Sequence, residues 1–168
     1  MYTNSAIPLI EIHGEDNLII NKEALNIIKS INQKICIVAV AGLYRTGKSS
    51  LLNWLINRNA GFTVGPSINR CTRGLWMWGT PLQGKLLTGE DCSIIILDTE
   101  GIGGVEGDAK YDARIFSLAI LLCSTLVYNS LGSIDETAIS NLSFIAQLSH
   151  HIRISSSSSS SDNNNNNK

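Results

Sequence analysis

The chain has 168 residues, with 13 Lys plus Arg against 14 Asp plus Glu, so its net charge is −1. That balance argues against a polybasic face for nucleic acid or a membrane surface. Apolar residues make up 43% and charged residues 16%, the composition of one well-buried domain.

Ile7 to Ile12 and Leu18 to Ile20, on either side of Gly14-Glu15-Asp16-Asn17, are predicted as two short strands around a turn. Asn21 can cap a helix whose apolar residues Ala24, Ile27, Ile28 and Ile31 repeat at i, i+3, i+4, i+7. Ile35 to Ala41 is an unbroken, largely β-branched run, the pattern of a strand covered on both faces in a parallel sheet, and it runs into Gly42. Beyond Lys48, the residues Leu51, Leu52, Leu55 and Ile56 share one helical face, with Gly61 as the expected stop.

Leu75 to Trp78 and Lys85 to Leu87 are expected to form a hairpin around Pro81 and Gly84. Ile94 to Leu97 reads as a second buried strand ending at Asp98. Ala113 to Leu122 reads as a helix and Thr125 to Tyr128 as a strand. Ala138, Ile139, Leu142, Ile145, Ala146 and Ile152 lie on one face of a last helix, with Ser133 and Glu136 as its capping box. The alternation predicts a three-layer α/β/α sandwich with a mostly parallel sheet, and ligands at the carboxyl ends of its strands. Residues 155–168 hold Ser, Asp, Asn and Lys with no apolar side chain, so a disordered tail is expected after a domain spanning 1–154.

Cys36, Cys71, Cys92 and Cys123 include no C-x-x-C pair and no histidine at zinc spacing, which favours free thiols in a reducing compartment. The N-terminus has no secretory pattern, and the nearly apolar stretch Ile115 to Tyr128 is too short to span a bilayer. A cytoplasmic, unanchored protein is the expectation. His13, His150 and His151 form no triad with a nucleophile and an acid, and the latter two suit the last turn of a helix. Trp54, Trp76 and Trp78 read as core or interface residues, because no basic groove accompanies them.

Gly42-Leu43-Tyr44-Arg45-Thr46-Gly47-Lys48-Ser49 fits G-x-x-x-x-G-K-S/T between a strand and a helix. Glycines let the backbone turn tightly enough for successive N–H groups to face phosphate oxygens at the positive end of the next helix. The Lys48 ammonium can reach β- and γ-phosphates, and the Ser49 hydroxyl can take one position on Mg²⁺. These eight residues and the following Ser50 are the candidate nucleotide contacts. Asp98-Thr99-Glu100-Gly101 is a D-x-x-G ending a buried strand: Asp98 is a candidate metal partner and the Gly101 N–H a candidate γ-phosphate donor. Thr72, in the polar stretch between the motifs, is the candidate residue that closes on Mg²⁺ while a γ-phosphate is present.

These motifs, together with Cys71-Thr-Arg-Gly-Leu-Trp-Met-Trp78 and Val127-Tyr-Asn-Ser130, resemble the large GTPase domain of guanylate-binding proteins, and more distantly the atlastins. The similarity covers about Ile7 to Ile154. It implies a GTPase with GTP as substrate and Mg²⁺ as cofactor, forming a homodimer through its GTPase faces. It implies further that Arg45 is an arginine finger acting in cis, that Thr72 binds Mg²⁺ and helps place the attacking water, and that Glu100 joins the network around that water. With Lys48, these make the candidate catalytic set, and Ser49, Thr72 and Asp98 the candidate metal set.

Two departures accompany the match. Arg70-Cys71 stands before Thr72 where a Ser-His pair is common in the family, which predicts slower turnover. The Arg-Asp motif that reads guanine in the family has no counterpart here, so the sheet is expected to be incomplete on its C-terminal side and the chain to be the front of a longer or truncated product. An unpaired apolar edge then predicts marginal stability. Membrane association would come only through regions this chain lacks. The alternative reading is a catalytically inactive remnant, a weak nucleotide binder or scaffold; an ATP-using protein is a third, since no residue here reads the base.

Overall fold

A computed structural model describes residues 2–13, 17–59, 61–62, 74–99, 101, 109–134 and 136–152. The chain divides into two compact units, Met1–Ile134 and Asp135–Lys168.

The first unit is built on one seven-stranded mixed sheet. β1 (Ala6–His13) and β2 (Asn17–Ile20) form the expected antiparallel pair. Asn21 caps α1 (Lys22–Lys29), its Oδ1 accepting from the Glu23 and Ala24 amides at 2.9 and 3.2 Å. β3 (Lys34–Gly42) leads into the glycine loop and α2 (Lys48–Leu55). β4 (Leu75–Trp78), β5 (Leu82–Lys85), β6 (Asp91–Thr99), α3 (Ala109–Leu122) and β7 (Thr125–Asn129) complete the unit.

The sheet order is β2-β1-β4-β6-β3-β7, with β5 also on β6. Parallel pairing is confined to β6-β3-β7, the strands whose ends carry the two motifs; the flank toward β2 is antiparallel. Buried apolar runs fix which strands are central but not the direction of their outer neighbours.

β4 and β5 do not pair with each other, contrary to the expected hairpin. Both run antiparallel to β6, β4 along Leu97–Thr99 and β5 along Asp91–Ile94, as two lengths of one interrupted strand. Pro81 has no N–H to give a ladder. Across the gap, Gly79 instead bonds the N-terminal segment, its amide donating to Ser5 O and its carbonyl accepting from Thr3 N at 3.0 and 3.1 Å. The hairpin that forms is β5–β6, turning at Gly89, whose φ is +86°.

Alternate residues of each strand sort into two cores. Ala39, Leu75, Met77, Ile95 and Leu97 meet α1 and α3 on one face. Val40, Trp78, Ile96 and Phe62 meet Leu52 of α2 and Ile56 just after it on the other. This gives the three expected layers. A β-bulge between Pro8 and Ile10 shifts the alternation, so Ile7, Leu9 and Ile10 all join the first core.

α2 stops at Leu55 rather than near Gly61. Asn57 takes φ +54°, and the amides of Asn57 and Arg58 donate back to Trp54 O and Asn53 O at 3.0 and 2.9 Å, a Schellman end with asparagine where glycine is usual. Leu55 is exposed, so the buried stripe is Leu52 and Ile56 with Leu51 half-buried. Trp78 is in the core, whereas Trp54 is 76% exposed on α2 and lies outside it. Cys36, Cys92 and Cys123 are free thiols; Cys71 lies outside the described residues.

In the second unit, α4 spans Glu136–Ile152. Its start at Glu136 puts Ser133 and Glu136 out of register for the expected capping box. Ala138 is buried, but Ile139 and Leu142 of the expected apolar face are exposed. No helix among the described residues is long and apolar enough to cross a membrane. The tail, 155–168, lies outside the described residues.

Candidate functional site

The carboxyl ends of β6, β3 and β7 lie side by side. Val40 stands opposite Asp98 on one side of β3, and Gly42 opposite Asn129 on the other. Asp98 shares the face of Ile94 and Ile96, so its side chain is directed toward α2, where Ser49 occupies the first turn.

Gly42 has φ +146°, and a Cβ built there would lie 2.0 Å from the Asn129 carbonyl oxygen. The strand can therefore turn into the loop at this point only as glycine. Arg45 and Gly47 have φ of +61° and +84°, the left-handed geometry that reverses a chain within a few residues. Gly47 is the N-cap of α2 and, as a glycine, gives the helix's first amides no side-chain cap. A helix start left in that state favours an anion.

Lys48 is buried and its Nζ donates to Leu43 O at 2.8 Å, so the ammonium folds back over the loop. Thr46 Oγ1 also donates to Leu43 O, at 2.9 Å. Gly101 sits against the loop: a Cβ there would meet the Tyr44 Cα at 2.4 Å and the Lys48 Nζ at 2.8 Å. The end of the D-x-x-G motif and the phosphate loop are thus in direct contact.

The Ser49 hydroxyl donates to Asp98 Oδ2 at 2.6 Å. Asp98 is fully buried, and its Oδ1 has no hydrogen-bond partner among the described residues. Burial pushes its carboxyl up to about 6, against the opposing pull of the Ser49 hydroxyl, the Lys48 charge and the Thr99 amide. An orphaned buried carboxylate oxygen beside a hydroxyl matches the hard oxygen donors that Mg²⁺ takes, so the residues present fit that ion. Among the described residues no three His, Cys, Asp or Glu side chains gather at a metal site of their own.

Of the predicted site residues, the structure brings together Gly42, Leu43, Tyr44, Thr46, Gly47, Lys48, Ser49, Asp98 and Gly101. Arg45 is exposed on the loop with its guanidinium 5.7 Å from the centre of the Tyr44 ring, and Ser50 faces out from α2. Thr72 and Glu100 lie outside the described residues.

Three polar residues with no role assigned from sequence bind the segments around the site. Buried Asn53 of α2 accepts from the Gly61 and Phe62 amides at 3.1 and 2.6 Å and donates to Phe62 O at 3.0 Å. Tyr111 of α3 accepts at its hydroxyl from the Gly74 amide at 3.0 Å. Asn129 at the end of β7 donates to Thr46 O at 2.8 Å. A lone asparagine inside an otherwise apolar helix stripe was the one available signal for Asn53.

Residues 15–168 match the family profile described as "Guanylate-binding protein, N-terminal domain". The chain belongs to the guanylate-binding protein family. It is 46% identical over 140 residues to guanylate-binding protein 3 of Homo sapiens, covering 83% of this chain and 23% of that protein. It is 45% identical over 149 residues to guanylate-binding protein 2 of Rattus norvegicus, 88% of this chain and 24% of the relative. Guanylate-binding protein 7 of Mus musculus is 42% identical over 155 residues, 91% of this chain and 24% of its own length. The chain therefore spans about a quarter of the length of these guanylate-binding proteins. The matched span contains the phosphate loop and Asp98, so the family assignment and the site fall on the same residues.

Proposed function

We propose that this chain carries the phosphate-binding half of a Mg²⁺-dependent GTPase site, hydrolysing GTP in the manner of a large, nucleotide-dimerised GTPase. The observation that carries the reading is the pairing of Ser49 with the Asp98 carboxylate, half-satisfied among the described residues, beside an α2 start whose N-cap is a glycine. The relatives' name, guanylate-binding, supports guanine as the base.

In this reading the loop amides and the α2 N-terminus hold phosphate oxygens, while Lys48 exchanges its bond to Leu43 O for one to the β- and γ-phosphates. Ser49 and Asp98 would hold Mg²⁺, which supplies charge neutralisation on those phosphates. Gly101, packed against Tyr44 and Lys48, would offer its N–H to a terminal phosphate. Thr72 and Glu100 serve the attacking water. Arg45, on the outer side of the loop, swings from the Tyr44 ring onto the developing negative charge when two such faces meet. Free Cys36, Cys92 and Cys123 suit a reducing, cytoplasmic setting.

The test is calorimetric titration of GTP into the chain with and without Mg²⁺. Saturable heat that requires the metal and disappears in Lys48→Ala is the expected result, and a parallel ATP titration decides the base. No magnesium-linked heat with GTP overturns the proposal.

A further inference from the structure

The phosphate loop is held from its outer side by a residue of a different strand. Asn129 ends β7 and stands opposite Gly42 in the parallel β3–β7 ladder. Its backbone oxygen lies where a side chain on Gly42 would have to go, so the two strands are in contact at the loop's first residue. Its side-chain Nδ2 reaches the loop's far end, donating to Thr46 O at 2.8 Å and approaching Thr46 Oγ1 at 3.2 Å. One residue of β7 therefore touches both ends of the loop.

We infer that Asn129 is a positioning residue for phosphate binding: its amide fixes the Thr46–Gly47 peptide and, through Thr46 and Leu43, the resting place of Lys48. In a trans peptide the C=O and the following N–H point in opposite directions. Holding Thr46 O against Asn129 thus turns the Gly47 N–H away from β7. The φ of +84° at Gly47 makes this peptide the one most able to flip, because glycine offers no steric preference against the alternative. The Thr46 hydroxyl passes the constraint on, donating to Leu43 O, which also accepts from Lys48 Nζ. Asn129, Thr46, Leu43 and Lys48 form one continuous chain of hydrogen bonds across the loop.

An amide is the side chain that does this at the end of a strand. A carboxylate of the same shape would set a negative oxygen against Thr46 O and place like charge near an incoming phosphate. A residue without a donor would leave the Thr46 carbonyl to solvent and the peptide free to turn.

The inference rests on the proposed nucleotide reading for its consequence but not for its geometry, and the experiment separates the two. In the 168-residue chain, Asn129→Asp and Asn129→Ala are compared with wild type by amide hydrogen exchange of the peptide covering 42–48 without nucleotide, by thermal unfolding, and by binding of a fluorescent GTP analogue with Mg²⁺. Expected are at least tenfold faster exchange in the loop, at least tenfold weaker nucleotide binding, and an unfolding temperature within a few degrees of wild type. The deficit is larger for Asn129→Asp than for Asn129→Ala, an order that mere loss of packing would reverse. Loop exchange unchanged in both variants overturns the inference. So does unchanged binding of the analogue by both variants when Lys48→Ala abolishes it, a result that leaves the GTPase reading standing. If wild type binds no analogue, the GTPase reading fails, and the exchange comparison alone decides the role of Asn129.

Discussion

The Ser49 hydroxyl donates to one oxygen of the buried Asp98 carboxylate at 2.6 Å, and the other oxygen of that carboxylate has no partner among the described residues. The carboxyl is raised from its usual 3.8 to about 6, with burial the largest cause. Between those values the folded chain keeps a proton that the unfolded chain has lost. The protonated site therefore favours the native state at low pH, and that contribution disappears as the pH rises through about 6. Ionising Asp98 in the metal-free protein costs of the order of 2–3 kcal/mol at neutral pH. Asp98→Asn is expected to be more stable than wild type at pH 7 and equal to it near pH 4, as read from denaturant unfolding at a series of pH values.

If the proposed site holds Mg²⁺, the same carboxylate is expected to make its binding acid-sensitive. A metal ligand must be deprotonated, so the apparent Mg²⁺ affinity is expected to fall about tenfold per pH unit below 6. Titration of the metal at pH 5 and pH 7 checks the slope, and Asp98→Asn is expected to bind weakly at both.

Arg45 combines exposure, a left-handed φ of +61° and a guanidinium near the Tyr44 ring. Arg45→Ala is expected to lower phosphate release by ~10³ while leaving nucleotide affinity within a few-fold, because an arginine finger acts on transition-state charge. Arg45→Lys, which keeps the charge but not the planar fork, is expected to recover only a small part of that loss. Single-turnover phosphate release on wild type and both variants decides it.

Buried Asn53 satisfies two amides and one carbonyl of Gly61 and Phe62. Asn53→Ala strands those groups away from water and is expected to destabilise the fold by about 3 kcal/mol. Asn53→Asp keeps both accepted bonds but sets a buried carboxylate oxygen against Phe62 O, and is expected to cost at least as much at neutral pH. Chemical denaturation measures both.

The two glycines that begin and end the loop make different demands. A methyl on Gly47 meets nothing within 4 Å, so Gly47→Ala is expected to cost only the ~1–2 kcal/mol of a left-handed residue. A methyl on Gly42 collides with the Asn129 backbone, so Gly42→Ala must part β3 from β7 and is expected to exceed ~4 kcal/mol. Thermal melts of the two variants should differ accordingly.

The sequence made the loop legible because Gly42, Gly47, Lys48 and Ser49 act at fixed local spacing, and Asp98 because it ends a buried run. Asn129 and Tyr111 were opaque for the opposite reason. Their partners are 83 and 37 residues away, and a single polar residue at the end of an apolar element does not announce which distant amide it meets. The interrupted β4–β5 strand was misread for a related reason. Pro81 and Gly89 both carry turn chemistry, and only the long, buried β6 decides which of the two reverses the chain. The capping box failed because Ser-x-x-Glu also occurs three residues ahead of a helix that starts later.

β2 lies at the outer border of the sheet order, bonded to β1 alone in that order, and Leu18, Ile19 and Ile20 are all exposed along it. A greasy selvage of that kind recruits its own likeness. Loss of dissolved material would then scale with the square of concentration, so dilution would preserve the preparation. The colloidal fate of the molecule would be governed at the far border from the glycine loop, by residues that chemistry at the loop never consults.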